Sequence, residues 1–151
     1  MKRLPELYVK IGKEGNMYLF DASSIVNLIK KGIVKPFADG VTLDLALYES
    51  LNAVWKEYRL LKRFNKETAL MFIDIIGSIF SVVKVLSVRG LENEVFNLAY
   101  KEELTIYDAS YLYTAMENKC TLVTDDQKLK GKALKYVKVI TSSELASEYK
   151  S

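Results

Sequence analysis

The chain has 151 residues, 50% hydrophobic and 27% charged, which is enough for one domain and excludes a disordered or fibrous protein. A formal charge of +3, no histidine and a single cysteine exclude Ser-His-Asp and Cys-His catalysis, HExxH zinc sites and an internal disulfide. Carboxylates or lysines must therefore carry any enzymatic chemistry, and no apolar stretch approaches the roughly 20 residues of a membrane span.

MKRLPELYVKIGKEGN contains no apolar run of signal length, so no secretory leader is expected, although Tyr8–Ile11 could add a strand. Met17–Phe20 is a short apolar, aromatic run that reads as a buried strand ending at Asp21. A helix follows over Ala22–Lys31, with Ile25, Leu28 and Ile29 on one face and Gly32 at its stop. Val34–Asp39 reads as a loop and Val41–Leu43 as a strand. A long helix is predicted from about Asp44 to Phe64, because Leu43, Leu47, Ser50, Leu51, Val54, Tyr58 and Leu61 share one arc at helical period. Lys66–Phe80 is helical, Ser81–Val88 is β-branched and strand-like, and a short helix runs from Leu91 to Glu102. Leu104–Tyr107 leads into Asp108 and a helix to Asn118. Cys120 is expected as a small buried residue before the strand Thr121–Thr124. Asp125, Asp126 and a lysine-rich helix or turn come next. They are followed by a strand over Tyr136–Ile140 and a helix over Thr141–Tyr149, capped by Ser142 or Ser143. Strands alternating with helices imply a mostly parallel sheet covered by helices on both faces.

The acids fall at strand ends. Asp21 follows MYLF, Asp108 follows TIY, and Asp125 and Asp126 follow TLVT. In a parallel sheet the strand ends share one edge, where ligands bind. Carboxylates gathered there repel one another unless a cation lies between them, and an oxygen-only set suits Mg²⁺ or Mn²⁺ better than zinc. Each of these aspartates also sits where a helix N-cap is wanted, so capping is the competing reading.

The blocks YLFDASSIVNLI, LDLALYESLNAVWK, TIYDASYLYTAM and TLVTDDQKL resemble the PIN domain, and within it the VapC-like toxins of toxin–antitoxin pairs. The resemblance spans residues 17–141. It implies a three-layer α/β/α sandwich with a mostly parallel central sheet, formed by a single nuclease domain over 17–151 behind an extension over 1–16. It also implies a Mg²⁺- or Mn²⁺-dependent endoribonuclease that leaves 5′-phosphate and 3′-hydroxyl ends. By the motif, Asp21, Glu49, Asp108 and Asp126 are the catalytic acids, with Asp21, Asp108 and Asp126 as metal ligands. Ser23, Asn52, Thr124 and Asp125 support them from behind. Helical period alone would leave Glu49 on a solvated face, away from the apolar arc, and Asp44 reads as an acid favoured by the helix dipole. The resemblance further implies a homodimer, a cognate antitoxin and a cytoplasmic location.

RNA must approach this acidic pocket against like charge. One basic cluster is Lys56, Arg59, Lys62, Arg63 and Lys66. A second is Lys128, Lys130 and Lys132 with Lys135 and Lys138, directly after the last motif and therefore the better candidate for phosphate contact. Tyr107, Tyr111 and Tyr113 could stack on unpaired bases, although tyrosines at helical spacing are more often core or interface. Trp55 and Tyr58 read as core or subunit contacts. A haloacid-dehalogenase-like phosphatase wants Asp-x-Asp after its first strand, where this chain has Ser23, and a toprim nuclease wants Asp-x-Asp late, where Asp125 and Asp126 are adjacent. The remaining alternative is a PIN-like module that binds RNA or protein without cutting it.

Overall fold

The computed structural model describes residues 17–149. The expected strand at Tyr8–Ile11 and the extension over 1–16 lie outside them. Five strands form one sheet: β1 (Tyr18–Phe20), β2 (Val41–Leu43), β3 (Lys84–Leu86), β4 (Thr121–Val123) and β5 (Val139–Ile140). Their order is β3-β2-β1-β4-β5, and every pairing is parallel. Parallel strands are buried on both faces and therefore read as continuous apolar runs. Leu19, Phe20, Leu43, Leu122 and Val123 are all fully buried.

The helices are α1 (Ala22–Lys30), α2 (Leu45–Trp55), α3 (Lys66–Phe80), α4 (Glu92–Glu102), α5 (Ile106–Asn118), α6 (Gln127–Ala133) and α7 (Ser142–Tyr149). They pack in two groups. α1 meets α2, α3 and α7, whereas α5 meets α4 and α6, which gives an α/β/α sandwich. From β1 the chain steps to β2 and β3 on one side and then crosses to β4 on the other. The order thus reverses between β1 and β4, and the crevice at such a reversal is the usual ligand site of an open parallel sheet.

The register places Phe20 opposite Val123, so Asp21 emerges beside Thr124 at the same edge, with the Asp21 amide donating to the Val123 carbonyl at 3.2 Å. Below that edge the Phe20 and Phe37 rings pack at 4.6 Å between centroids, and a Cβ at Gly40 would run into the Phe20 ring. Only glycine fits this entry to β2.

Three elements are shorter than their sequence patterns. The helix expected over Asp44–Phe64 runs from Leu45 to Trp55, widens into a π turn over Lys56–Leu60, and stops at Lys62 with φ 53°. Leu61 is consequently 54% exposed rather than part of the buried arc, and Glu57 is buried instead. Glu57 pairs with Lys30 of α1 and with Arg63 at 3.6 Å, so a carboxylate takes the place the apolar pattern assigned to leucine. The Ser81–Val88 run contributes only Lys84–Leu86 as strand, because β3 is the sheet edge and lacks a second neighbour. Of the Tyr136–Ile140 run, only Val139 and Ile140 pair. α7 is capped neither by Ser142 nor by Ser143. Thr141 accepts from the Glu144 amide at 3.1 Å while Glu144 accepts from the Thr141 amide at 2.8 Å, a reciprocal capping box.

Candidate active site

Four acids from four stretches of chain line one cleft of about 320 Å³ at the carboxyl edge of the sheet, together with Ser23, Asn52, Lys56 and Tyr111. Asp21 comes from the end of β1, Glu49 from α2, Asp108 from α5 and Asp126 from the turn after β4.

Asp21 is only 4% exposed. Its Oδ1 accepts from the Ser24 amide at 2.9 Å, which caps α1, and from the Ser23 hydroxyl at 2.7 Å. Its Oδ2 accepts from the Thr124 hydroxyl. Burial pushes this carboxyl up to about 6, against the pull of the Thr124, Ser24 and Ser23 hydrogen bonds. Capping and cleft lining are thus not alternatives here, because one carboxylate does both. The Thr124 hydroxyl also accepts from the Asp126 amide at 3.1 Å, so a single side chain ties the first acid to the last.

Asp126 caps α6, its Oδ1 accepting from the Leu129 amide at 2.9 Å. Asp108 is spared that duty. The cap of α5 is Thr105, whose hydroxyl accepts from the Asp108 amide at 3.1 Å, leaving the Asp108 carboxylate to the cleft. Burial raises that carboxyl to about 6, the charges of Asp126 and Glu49 add to the rise, and Lys128 opposes it. Glu49 is half-buried rather than solvated, and its Oε1 accepts from the Tyr111 hydroxyl at 2.8 Å. Burial raises its carboxyl as well, the Tyr111 hydrogen bond lowers it, and Asp21 raises it further.

Asp125 takes a different direction from Asp126. Its two oxygens accept from the Ser142 amide at 2.7 Å, the Ser142 hydroxyl at 2.6 Å and the Asn27 amide group at 2.6 Å, while its own amide donates to Ser23 at 2.9 Å. It braces the turn from behind, between α1 and α7, and does not line the cleft.

The lysine-rich run after the last motif does not form one patch. Lys135 pairs with the buried Glu102, whose pKa Lys132 also lowers, while Lys128 lowers that of Asp108 and Lys130 that of Glu144. Glu102 also accepts from Tyr136, which anchors the segment between α6 and β5 to the end of α4. The cation that lines the cleft is Lys56 of the other cluster, one turn beyond Asn52 on α2. What the sequence did not reveal is therefore the contact of Tyr111 with Glu49, the cap at Thr105 and the particular place of Lys56. The spacing Glu49, Asn52, Ala53, Lys56, all on one helical face, is the signal that could have found the last of these.

The acids have no lysine or arginine partner within ion-pair distance, since the ion pairs recorded among the described residues belong to Glu57 and Glu102. The four carboxylates form an oxygen-only donor set, and burial raises Asp21, Glu49 and Asp108, with neighbouring acids adding to the rise at Glu49 and Asp108; such a set suits a hard divalent cation. Among the described residues no three ligating side chains converge closely enough to enclose an ion as they stand. Asp126 is turned to its cap and Glu49 to Tyr111.

Known proteins share this arrangement of chain. Exonuclease VapC9 of Pyrobaculum aerophilum is 38% identical over 117 residues, covering 76% of this chain and 84% of that one. Ribonuclease VapC3 of the same organism is 36% identical over 91 residues, 60% of this chain and 69% of that one. The crystal structure of PAE2754 from Pyrobaculum aerophilum superposes with a TM-score of 0.70 at 31% identity, over 91% of each chain. The fold is also that of VapBC2 from Rickettsia felis, solved bound to a DNA fragment from its promoter, with a TM-score of 0.55 at 18% identity over 83% of this chain and 98% of that one. No protein-family model matches the chain.

Proposed function

The chain belongs to the VapC family of PIN-domain nucleases, and from that premise we propose that it is the toxin of a toxin–antitoxin pair, an endoribonuclease that hydrolyses RNA phosphodiester bonds with Mg²⁺ or Mn²⁺. The observation that carries the reading is that Asp21, Glu49, Asp108 and Asp126 line one cleft and that none of them is held in an ion pair by a lysine or arginine. Asp21, Asp108 and Asp126 would hold the ion, with Glu49 beside them. A divalent cation there supplies positive charge against the phosphate and lowers the pKa of water in its shell.

The protein's own part is orientation and approach. Ser23 and Thr124 fix the rotamer of Asp21 from both of its oxygens. Thr105 frees Asp108 from capping. Lys56 and Asn52 meet the RNA phosphate at one wall, and Lys128 stands near Asp108 at another. Phosphate contact thus moves from the run Lys128, Lys130 and Lys132 towards Lys56 and Lys128. Asp125 supports the turn as a brace, outside the donor set.

Among the described residues no helix is long and apolar enough to cross a membrane, and the reading includes a cytoplasmic setting, a homodimer and a cognate antitoxin. Exposed Phe96 and Tyr100 on one face of α4 offer apolar surface for such assembly. A binding-only module is the second reading, favoured by Asp21 and Asp126 each capping a helix. Melting curves with EDTA and with Mn²⁺, run beside cleavage of a single-stranded RNA, separate the two. The nuclease reading requires a Mn²⁺-dependent rise in melting temperature and cleavage lost in Asp108→Asn. Neither effect would leave the binding module.

A further inference from the structure

One contact reaches across the cleft and belongs to no acid-to-acid or acid-to-cap pattern. The Tyr111 side chain is 2% exposed, and its ring packs in the core one turn beyond Asp108 on α5. Its hydroxyl donates to Glu49 Oε1 at 2.8 Å, between residues 62 apart in the chain. Ala22, next to Asp21, lines the cleft beside this pair, and its backbone N–H lowers the pKa of the Tyr111 hydroxyl. A phenol hydroxyl beside a carboxylate has an acceptor for its proton, and here that acceptor is Glu49. Three elements therefore meet around this pair: the start of α1, α2 and α5. A glutamate on a half-exposed helix face has several rotamers open to it, and freezing that freedom costs conformational entropy. A hydrogen bond from a rigid, buried donor meets part of this cost in advance.

We propose that Tyr111 is a positioning residue for the nuclease reaction: its buried hydroxyl holds Glu49 Oε1 so that Oε2 is presented to the cleft. The inference rests on the nuclease reading above and adds to it the reason why a half-exposed helix acid is held facing the cleft. It also removes Tyr111 from the residues able to stack on RNA bases, because its ring is enclosed. Of the three tyrosines considered for stacking, Tyr107 is the exposed one, at 59%.

The test is a double-mutant cycle on the full chain with Tyr111→Phe and Glu49→Ala, read by Mn²⁺ calorimetry and by steady-state cleavage of a single-stranded RNA. Tyr111→Phe keeps the buried ring, and a melting curve in EDTA reports any packing loss separately. The expected result is a loss of about 10–100-fold in kcat or Mn²⁺ affinity with KM changed less than about twofold. In the Glu49→Ala background the same substitution should change Mn²⁺ affinity less than about twofold, because the residue it acts through is gone. An equal loss in both backgrounds, or wild-type behaviour of Tyr111→Phe, overturns the proposal while leaving the nuclease reading intact. If the unaltered protein neither takes up Mn²⁺ nor cuts RNA, the nuclease reading fails and this proposal falls with it.

Discussion

Replacing Asp21 by asparagine should make the metal-free protein more stable while removing its activity. The carboxyl is almost wholly buried and stands at about 6 instead of 3.8. The difference of 2.2, at about 1.4 kcal/mol for each pH unit, means that the ionised side chain costs the fold about 3 kcal/mol at neutral pH. An amide of the same shape removes that cost. It presents Nδ2–H to the Thr124 hydroxyl, which must turn to accept, and this mismatch returns about 1 kcal/mol. The net gain is about 2 kcal/mol, or roughly 4–8 °C in melting temperature for a chain of this size. Differential scanning calorimetry of both proteins in EDTA, at about pH 7.5, gives the number. Repeating the scans with Mn²⁺ should reverse the order, since only the wild-type cleft keeps its full donor set. If Asp21→Asn melts below wild type in EDTA, or if Mn²⁺ raises both proteins equally, the buried charge is not the strained group described here.

The pH dependence follows the same sign. Asp21 and Asp108 have folded values near 6, above their ordinary 3.8, so the native state binds more protons between those limits. Melting temperature in EDTA should therefore rise as pH falls from about 7 towards 5, while the extra stabilisation from Mn²⁺ shrinks over the same interval. Thr124→Val removes the hydroxyl that donates to Asp21 and accepts from the Asp126 amide, and urea titration should show a loss of about 1–3 kcal/mol along with reduced cleavage. Lys56→Met should raise KM for RNA and lower the salt slope of binding by about one phosphate contact, whereas Lys130→Met and Lys132→Met should leave both near wild type. Fluorescence anisotropy at several salt concentrations distinguishes them.

The sheet and its acids were legible because they depend on local signals. Strands such as MYLF and TLVT carry no charge and no alternation of apolar with solvated residues, as parallel strands with two covered faces require, and each is followed by an aspartate. What could not be read depends on chain geometry that periodicity does not carry. Nothing in the apolar pattern of α2 signals the π turn or the left-handed Lys62, so Leu61 looked buried and Glu57 did not. Thr105 against Asp108, and Thr141 against Ser142, are choices among neighbouring cap formers that differ by a residue or so. Tyr111 looked like core or stacking surface because its partner lies on another helix. The lysines after Asp126 looked like one patch because sequence nearness hides that a helix points successive side chains towards different neighbours.

The three donors that hold Asp125 have a consequence for the carboxyl-terminal helix. Ser142, the first residue of α7, reaches the turn one residue away from Asp126, so that terminal segment works as a doorstop behind the turn that carries Asp126. Shaving it off would strand a carboxylate against Asn27 with two of its hydrogen bonds missing, and the slack would pass directly into the wall of the cleft. Removing α7 is therefore a perturbation of the candidate cleft, although the helix lies outside the cleft itself.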